Sequence, residues 1–332
     1  MEPSPINISP VTDPKLVSII VPVYNRPVMV EEAVRSALAQ TYRPIEILIV
    51  DDESNDGKTP AVLAALAAKH PEVRVLARKN GGPGLARETG RQAARGEFIQ
   101  YLDSDDLLLP HKLERQVAAL NANPDAGIAY GMTRFIDADG NERQCTWKEP
   151  NQVQERMFPS FLTARWWETA TPLYRRAVTD AAGPWTEMRL EEDWEYDARV
   201  AALGKRLVFV AEFVVEHRDH PEDRLSRGHE LDPVRLRDRA RAHELIYRHA
   251  RRAGVGDDVP EMKRFARELF LLARQSGAAG LAKESQTLLH LAREASGTQR
   301  NRLQFRVYET FARIVGWSLT GKLSVLSDRL RW

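Results

Sequence analysis

The chain of 332 residues has little cysteine and no long apolar run. Its single cysteine, Cys145, excludes an internal disulfide and a metal site built from several thiolates. The longest apolar runs, Leu16–Val23 and Ile45–Val50, are strand-length and far shorter than the roughly 18 residues of a membrane-spanning helix. Residues 1–14 contain four prolines but neither the basic start nor the apolar stretch of a signal peptide. We therefore expect a flexible leader and a cytoplasmic protein.

The net charge of +1 conceals an asymmetry along the chain. Pro233–Trp332 contains 20 Lys and Arg against 10 Asp and Glu, whereas the rest contains 28 basic and 37 acidic residues. A basic tail on an acidic body indicates an anionic partner for the tail, such as membrane headgroups, nucleic acid or a phosphorylated acceptor. The alternative is a set of solvated helix faces with a surplus of arginine.

Apolar strand patterns alternate with helical patterns through the first 120 residues. This alternation predicts a parallel sheet with helices on both faces, in which ligands bind beyond the carboxyl ends of the strands. From about residue 233 the periodicity is helical only. We divide the chain into a leader at 1–14, an α/β domain at 15–232 and a basic helical region at 233–332. The predicted strands of the first part are Leu16–Val23, Ile45–Val50, Val73–Leu76 and Phe98–Leu102.

Acidic clusters follow two of these strands. Asp51 and Asp52 end the second strand, and Asp103-Ser104-Asp105 follows the fourth. Two carboxylates one residue apart provide hard oxygen ligands for Mg²⁺ or Mn²⁺ together with a diphosphate. The alternative is an aspartate that caps the helix near Pro110–Leu120.

Four motifs occur in order within about a hundred residues: SIIVPVYNR, IEILIVDDESND, NGGPGLARETG and GEFIQYLDSDDLLLP. Over about residues 16–225 the chain closely resembles the family 2 glycosyltransferases, and GPWTEMRLEEDWEYDARVAALGKRLVFV continues the resemblance. This implies the GT-A fold, a Rossmann-like mixed α/β sheet flanked by helices, with the helical tail as an appendage. Glu53 stands where that family usually has glycine, and Thr89 where it often has asparagine.

The resemblance implies a nucleotide-sugar donor site at the strand ends. Pro22 and Tyr24 would pack on the nucleobase, and Asp52 or Asp51 would accept a hydrogen bond from a uracil-type imide; the alternatives are turn packing and an Asx turn. Around the glycine-rich loop, a ligand can approach the backbone closely. The remaining donor residues implied by the family pattern are Asn80, Arg87, Asp103, Ser104 and Arg218. A solvated position for Arg87 is the alternative.

The same resemblance assigns the metal and the base. Asp105 would bind Mn²⁺ or Mg²⁺ directly, with Asp103 beside it and a late histidine completing the shell; we favour His220 over His217. Asp193 matches the family's general base, with Glu192 next to it. The alternatives are two surface histidines and helix-start acids favoured by the helix dipole.

The resemblance therefore implies a metal-dependent, inverting glycosyltransferase. It would use a nucleoside diphosphate sugar, which we expect to be UDP-linked, and an acceptor hydroxyl that the residues do not identify. Polysaccharide, glycolipid or other glycoconjugate synthesis is the expected setting, with no nucleic-acid partner. A dinucleotide oxidoreductase would need G-x-G-x-x-G after the first strand, where the chain has PVYN. A non-catalytic scaffold protein of the same fold is the remaining alternative, although the key carboxylates are present.

The end of the chain carries apolar residues at helical spacing with basic residues among them. We expect this stretch either to lie peripherally at the inner face of a membrane or to serve self-association or packing on the catalytic domain. We expect Gly316 and Gly321 to interrupt it. Its apolar residues are Leu303, Val307, Phe311, Ile314, Val315, Trp317, Leu319, Leu323, Leu326 and Leu330, and its basic residues include Arg306, Arg313, Lys322, Arg329 and Arg331.

Overall fold

A computed structural model describes residues 13–137, 139–143, 153–220, 230–299 and 302–329. The chain forms two compact units. We call Met1–Glu155, Trp167–Trp185 and Arg206–His220 the sheet unit, and Arg156–Trp166, Thr186–Lys205 and Pro221–Trp332 the helical unit. Most of the predicted leader, together with Cys145 and Leu330, lies outside the described residues.

The described residues of the sheet unit form one mixed sheet of nine strands with flanking helices. The strand order is β3-β2-β1-β4-β8-β6-β9-β5, and β7 pairs with β6. The strands are β1 (Asp13–Val23), β2 (Ile45–Asp51), β3 (Val73–Ala77), β4 (Gly96–Tyr101), β5 (Leu107–Leu108), β6 (Ala126–Ile136), β7 (Glu142–Arg143), β8 (Leu173–Arg175) and β9 (Arg206–Arg218). The helices are α1 (Pro27–Leu38), α2 (Thr59–Lys69), α3 (Pro83–Ala93), α4 (Lys112–Ala122) and α5 (Arg176–Ala182).

The parallel half of the sheet positions the acidic clusters. β1 pairs in parallel with both β2 and β4, and β2 pairs in parallel with β3. Ile19 of β1 and Ile47 of β2 are register partners and fully buried, as β-branched runs covered by helices on both faces should be. The carboxyl ends of β1, β2 and β4 therefore meet at one edge, and the predicted mixed α/β sheet is confirmed.

Two short strands complete this edge. β8 pairs antiparallel with β4 and β6, which makes the sheet mixed. β5 pairs antiparallel with β9, so that Leu107 lies opposite Glu216. This pairing brings the turn after β4 beside the end of β9.

The helical unit has its own apolar core. Phe265, Leu269, Leu288 and Phe305 are among its buried side chains. Its described helices are α6 (Glu192–Ala201), α7 (Pro233–Arg252), α8 (Pro260–Ala278), α9 (Ala282–Ala295), α10 (Leu303–Val315) and α11 (Trp317–Arg329), with short 3-10 helices at Ser160–Leu162 and Gly297–Gln299. Two earlier segments of the chain thus belong to this unit together with the C-terminal region.

Among the helices of the described residues, none combines the length and the apolar character that crossing a bilayer requires.

Candidate active site

The carboxylate of Asp52 holds the glycine-rich loop in place. It is buried at the end of β2, accepts hydrogen bonds from the backbone N of Gly82 (2.7 Å) and Gly81 (3.0 Å), and pairs with Arg78. Asn80 donates from Nδ2 to the backbone O of Asp52 at 2.9 Å. A buried charge with this many donors is well compensated. Asp52 thus anchors the loop, and hydrogen bonding to an imide stays a prediction.

The neighbouring loop residues are fixed by their own side chains. Asp51 Oδ1 accepts from the backbone N of Ser54, three residues later, at 2.9 Å, so this side chain closes the turn after β2. Glu53 has φ +67°, a left-handed conformation that favours glycine, and this explains the glycine usual at that position in the family it resembles.

Asn25 joins the ends of β1 and β2. Its Oδ1 accepts from the backbone N of Asn55 at 2.8 Å, and its backbone N donates to Ser54 Oγ at 2.9 Å. Asn25 also has a left-handed φ of +52°, which asparagine tolerates. Asn25 was not among the predicted site residues, although an asparagine directly after a strand is a recognised turn signal.

Pro22 and Tyr24 have different environments. Pro22 pairs with Val50 inside the sheet and is buried, whereas the side chain of Tyr24 is 44% exposed. Of the two, Tyr24 has the accessible ring that stacking on a nucleobase requires.

Arg87 and Asp103 form an ion pair at the carboxyl end of β4. Arg87 is buried on α3, and its Nη2 lies 2.6 Å from Asp103 Oδ1. Its guanidinium also lies 4.8 Å from the centre of the Trp185 ring. Arg87 is therefore not a solvated helix residue, and it orients the first carboxylate of the Asp103-Ser104-Asp105 triplet.

The carboxylate of Asp105 contacts Arg26 and His220. The backbone N of Asp106 donates to the O of Asp103 at 3.1 Å and closes the turn, in which Ser104 is buried. Oδ2 of Asp105 lies 2.6 Å from Arg26 Nη1 and 3.0 Å from His220 Nε2. Burial raises the pKa of Asp105, but the charge of Arg26 and the hydrogen bonds from His220 and Arg26 outweigh it and lower the pKa to about 2. Asp105 is ionised at neutral pH.

The two candidate histidines approach different carboxylates. His217 Nδ1 lies 2.9 Å from Asp106, which is fully buried, and burial raises the pKa of Asp106 despite the opposing effect of His217. His220 approaches Asp105. Arg218 lies between them in sequence, donates from Nε to the O of Asp105 at 2.7 Å and pairs with Glu32.

The donor set at Asp105 fits a divalent ion. The carboxylate of Asp105 is a ligand type that suits Mn²⁺ and Mg²⁺, and His220 Nε2, 3.0 Å from it, adds an imidazole nitrogen that suits a transition metal better than Mg²⁺. In the part of the chain that the structure describes, no group of three or more His, Cys, Asp or Glu side chains is arranged to hold a metal. Asp105 and His220 would therefore supply two metal ligands. The remaining coordination positions would be filled by groups other than a third clustered His, Cys, Asp or Glu side chain.

Asp193, the candidate base, lies in the first turn of α6 in the helical unit. Its Oδ2 is 2.8 Å from Arg165 Nη1, and Arg165 Nε is 2.7 Å from Asp197 Oδ2. Oδ1 of Asp193 accepts from the backbone N of Trp194 at 2.7 Å. Asp193 thus lies at a helix N-terminus, where negative charge is favoured, and Arg165 holds one of its carboxylate oxygens.

The residues just before Asp193 are held by α7. Glu191 has a left-handed φ of +57°, and its carboxylate contacts His243 Nδ1 (3.0 Å) and Arg239 Nε (2.8 Å). Burial raises the pKa of Glu191, but His243 and Arg239 outweigh it and lower the pKa. Glu192 is buried. These contacts could not be predicted from the linear pattern, because the partners lie about 50 residues away on another helix.

Comparisons with known proteins agree on the family and the fold. The profile of Glycosyl transferase family 2 matches residues 18–178. An uncharacterised glycosyltransferase of Rickettsia conorii is 44% identical over 129 residues, covering 38% of this chain and 21% of that protein. Chondroitin synthase of Escherichia coli is 32% identical over 184 residues, covering 53% of this chain and 26% of that protein. The chain thus matches only about a fifth to a quarter of the length of these relatives.

Two solved structures share the architecture over nearly the whole chain. Staphylococcus aureus TarS 1–349 in complex with UDP-GlcNAc superposes with a TM-score of 0.67 and 18% identity, covering 95% of this chain and 92% of that one. The mannosyltransferase PcManGT of Pyrobaculum calidifontis, in complex with GDP-Man and Mn²⁺, superposes with a TM-score of 0.51 and 19% identity. The match covers 98% of this chain and 91% of that one. With the observed sheet, these matches show that the chain has the GT-A fold, and the profile of glycosyl transferase family 2 matches its residues 18–178.

Proposed function

We propose that this chain is an inverting glycosyltransferase that moves a sugar from a nucleoside diphosphate, UDP in our view, to an acceptor hydroxyl. The observation that carries the proposal is the grouping of Asp105 with His220, and of Asp103 with Arg87, at the carboxyl edge of the parallel strands. TarS, which has a similar fold, was solved with UDP-GlcNAc bound. Polysaccharide, glycolipid or other glycoconjugate synthesis is the proposed setting.

The donor would bind through groups that the sheet unit already positions. The exposed ring of Tyr24 would stack on the nucleobase, and the loop anchored by Asp52 would approach the nucleoside closely. Asp103, oriented by Arg87, would accept from ribose hydroxyls. Arg218, next to the backbone of Asp105, would face the diphosphate.

The proposed metal site consists of Asp105 and His220. A bound Mn²⁺ or Mg²⁺ ion supplies positive charge that stabilises the departing diphosphate. Asp105 is suited to this task because its low pKa keeps it ionised.

Asp193 would take the proton of the acceptor hydroxyl as that oxygen attacks the anomeric carbon. In the same step the bond from that carbon to the diphosphate oxygen breaks, so a single displacement inverts the configuration. Arg165 holds one carboxylate oxygen of Asp193 and thereby fixes its orientation. Glu192 is the adjacent acid.

We further propose residues 15–232 as the catalytic domain and 233–332 as its appendage. The single cysteine is compatible with a reducing compartment, and we propose that the protein acts in the cytoplasm.

A screen of nucleotide sugars by thermal unfolding tests donor binding, with Mn²⁺ or with a chelator. Ligand binding raises the apparent stability by mass action. We expect one UDP-sugar to raise the unfolding temperature in Mn²⁺ and to lose most of this effect with chelator. Hydrolysis of that donor, and NMR coupling at the anomeric centre of a transfer product, then test catalysis and inversion. Donor binding without hydrolysis or transfer would support the non-catalytic alternative instead.

A further inference from the structure

Helix α10 exposes an apolar stripe that its own packing does not use. Phe305, Tyr308 and Ala312 form its buried face. On the outer side, Leu303 is 75% exposed, Val307 46%, Phe311 53% and Ile314 74%. These four residues recur every three or four positions, which places them on one side of the helix. We call them the outer stripe.

Helix α11 repeats this arrangement. Thr320 and Gly321 are buried, and a Cβ added at Gly321 would lie 2.2 Å from the backbone N of Ala278, so α11 packs closely on the end of α8. The outward side chains Leu319, Leu323 and Leu326 are each about half exposed. Both helices are thus attached by one face and present apolar side chains on the other, and large exposed apolar patches mark interaction sites.

A cluster of arginines borders the outer stripe. Arg306 and Arg313, both exposed on α10, and Arg293 on α9 line an open cavity of about 370 Å³ together with Glu309 and Thr310. We call this group the arginine cavity.

Glu309 holds two of these arginines in place. Its carboxylate lies 2.7 Å from Arg293 Nη1 and 2.5 Å from Arg313 Nη2. Three arginines with one carboxylate leave the cavity with a net positive charge. Guanidinium groups held in fixed positions are well suited to bind phosphate oxygens.

We propose that α10 and α11 form a binding surface for a membrane that contains anionic phospholipid. The outer stripe inserts among the upper parts of the acyl chains, and the arginine cavity binds a lipid phosphate. Residues 302–327 contain four basic residues and one acidic residue, which complements an anionic surface.

The charge distribution favours a membrane over a second copy of the chain. A twofold interface through the outer stripe would bring the arginines of one copy towards those of the other, and like charges at an interface are unfavourable. A soluble phosphate compound would satisfy the arginine cavity but would leave the outer stripe in water. This inference does not depend on the donor and base assignments.

Flotation of the full chain with vesicles tests the proposal. We compare vesicles of phosphatidylcholine alone with vesicles that also contain phosphatidylglycerol, at low and at high salt. The expected result is binding to the anionic vesicles that weakens with salt. Phe311→Ser with Ile314→Ser should reduce binding at least tenfold, and Arg306→Gln should reduce it about fivefold. The matched controls are Val234→Ser and Arg252→Gln, which change an exposed valine and an exposed arginine on α7.

Circular dichroism and thermal unfolding test whether each variant is folded. If the double variant is unfolded, Leu303→Ser, at the most exposed position of the stripe, replaces it. Absence of flotation at low salt overturns the proposal. So does equal loss of binding in the control variants. Stabilisation by inorganic phosphate without vesicle binding would indicate a soluble phosphate ligand, and self-association lost in the stripe variant without vesicle binding would indicate an interface between copies.

Discussion

Arg26 Nη1 and Asp105 Oδ2 lie 2.6 Å apart and join the start of α1 to the turn after β4. The pair is only partly accessible to solvent, and the charge of Arg26 is the main influence that lowers the pKa of Asp105. The guanidinium thus contacts the same carboxylate oxygen that His220 contacts. A divalent ion that binds Asp105 must compete with Arg26 for this oxygen.

This competition predicts that Arg26→Gln binds Mn²⁺ more tightly in the absence of nucleotide. Removing a partly exposed ion pair worth about 1 kcal/mol corresponds to roughly fivefold tighter binding. Mn²⁺ titration followed by electron paramagnetic resonance measures this directly. Arg35→Gln, on the exposed side of α1, is the matched control.

Asp105→Asn should abolish Mn²⁺ binding in the same titration and remove the metal dependence of donor binding. Weaker Mn²⁺ binding by Arg26→Gln would mean that Arg26 supports the site instead of competing for it.

Asp193→Asn tests the proposed base. The amide keeps the shape of the side chain but cannot accept the proton, so we expect the turnover number to fall roughly a hundredfold or more, while donor affinity changes little. Steady-state kinetics with the donor found in the screen measures both quantities. Asp197→Asn is the control, because Asp197 binds the same guanidinium of Arg165. An equal loss of turnover in both variants would show that Asp193 acts only by positioning Arg165.

The parallel half of the sheet could be predicted because its strands are continuous β-branched runs. β1 and β2 are buried on both faces, which is the pattern that such runs indicate. β5 and β8 could not be predicted in this way, because they have two and three residues and depend on partners far away in the chain.

The sequence indicated which residue types the candidate site would contain. It did not indicate which other residues their side chains would contact. Asp52 was expected to face a ligand, but its hydrogen bonds go to Gly81 and Gly82, about 30 residues later, and a linear pattern does not contain such contacts. Asp105 and His220 are 115 residues apart and meet because β5 pairs with β9. The exposure of the outer stripe likewise follows from which face of α10 is buried, and periodicity alone does not decide that.

Gly321→Ala should destabilise the helical unit, although alanine is intrinsically a better helix former than glycine by about 1 kcal/mol. The added Cβ would lie 2.2 Å from Ala278 N and 2.8 Å from Arg274 O, both backbone atoms, so α11 must move away from α8. Ser327→Ala, at an exposed position of the same helix, is the control and should be neutral or slightly stabilising. Thermal unfolding followed by circular dichroism compares the two. Equal stability of both variants would show that the contact between α11 and α8 adapts without cost.

Lys112 provides a pH-dependent prediction. It is the first residue of α4 and is fully buried, and its Nζ donates to the backbone O of Thr171 (2.9 Å) and to Oε1 of Gln116, which are both neutral acceptors. Burial lowers the pKa of Lys112 well below its ordinary value of 10.5. Between the lowered pKa and 10.5, the unfolded chain therefore binds a proton that the folded chain does not bind.

Because the unfolded state binds the extra proton, this lysine makes the free energy of unfolding rise with pH across that interval, by at most about 1.4 kcal/mol per pH unit. Lys112→Met removes this contribution, and Thr171 O still accepts from Gln116 Nε2 at 3.0 Å. We expect the free energy of unfolding of the variant, relative to that of the wild type, to be highest at neutral pH. This difference should fall steadily as the pH approaches 10.5. Urea unfolding followed by tryptophan fluorescence at a series of pH values measures the difference, with the exposed Lys69→Met as control. If the wild type and Lys112→Met give parallel profiles, then Lys112 keeps its proton in the folded protein and the argument fails.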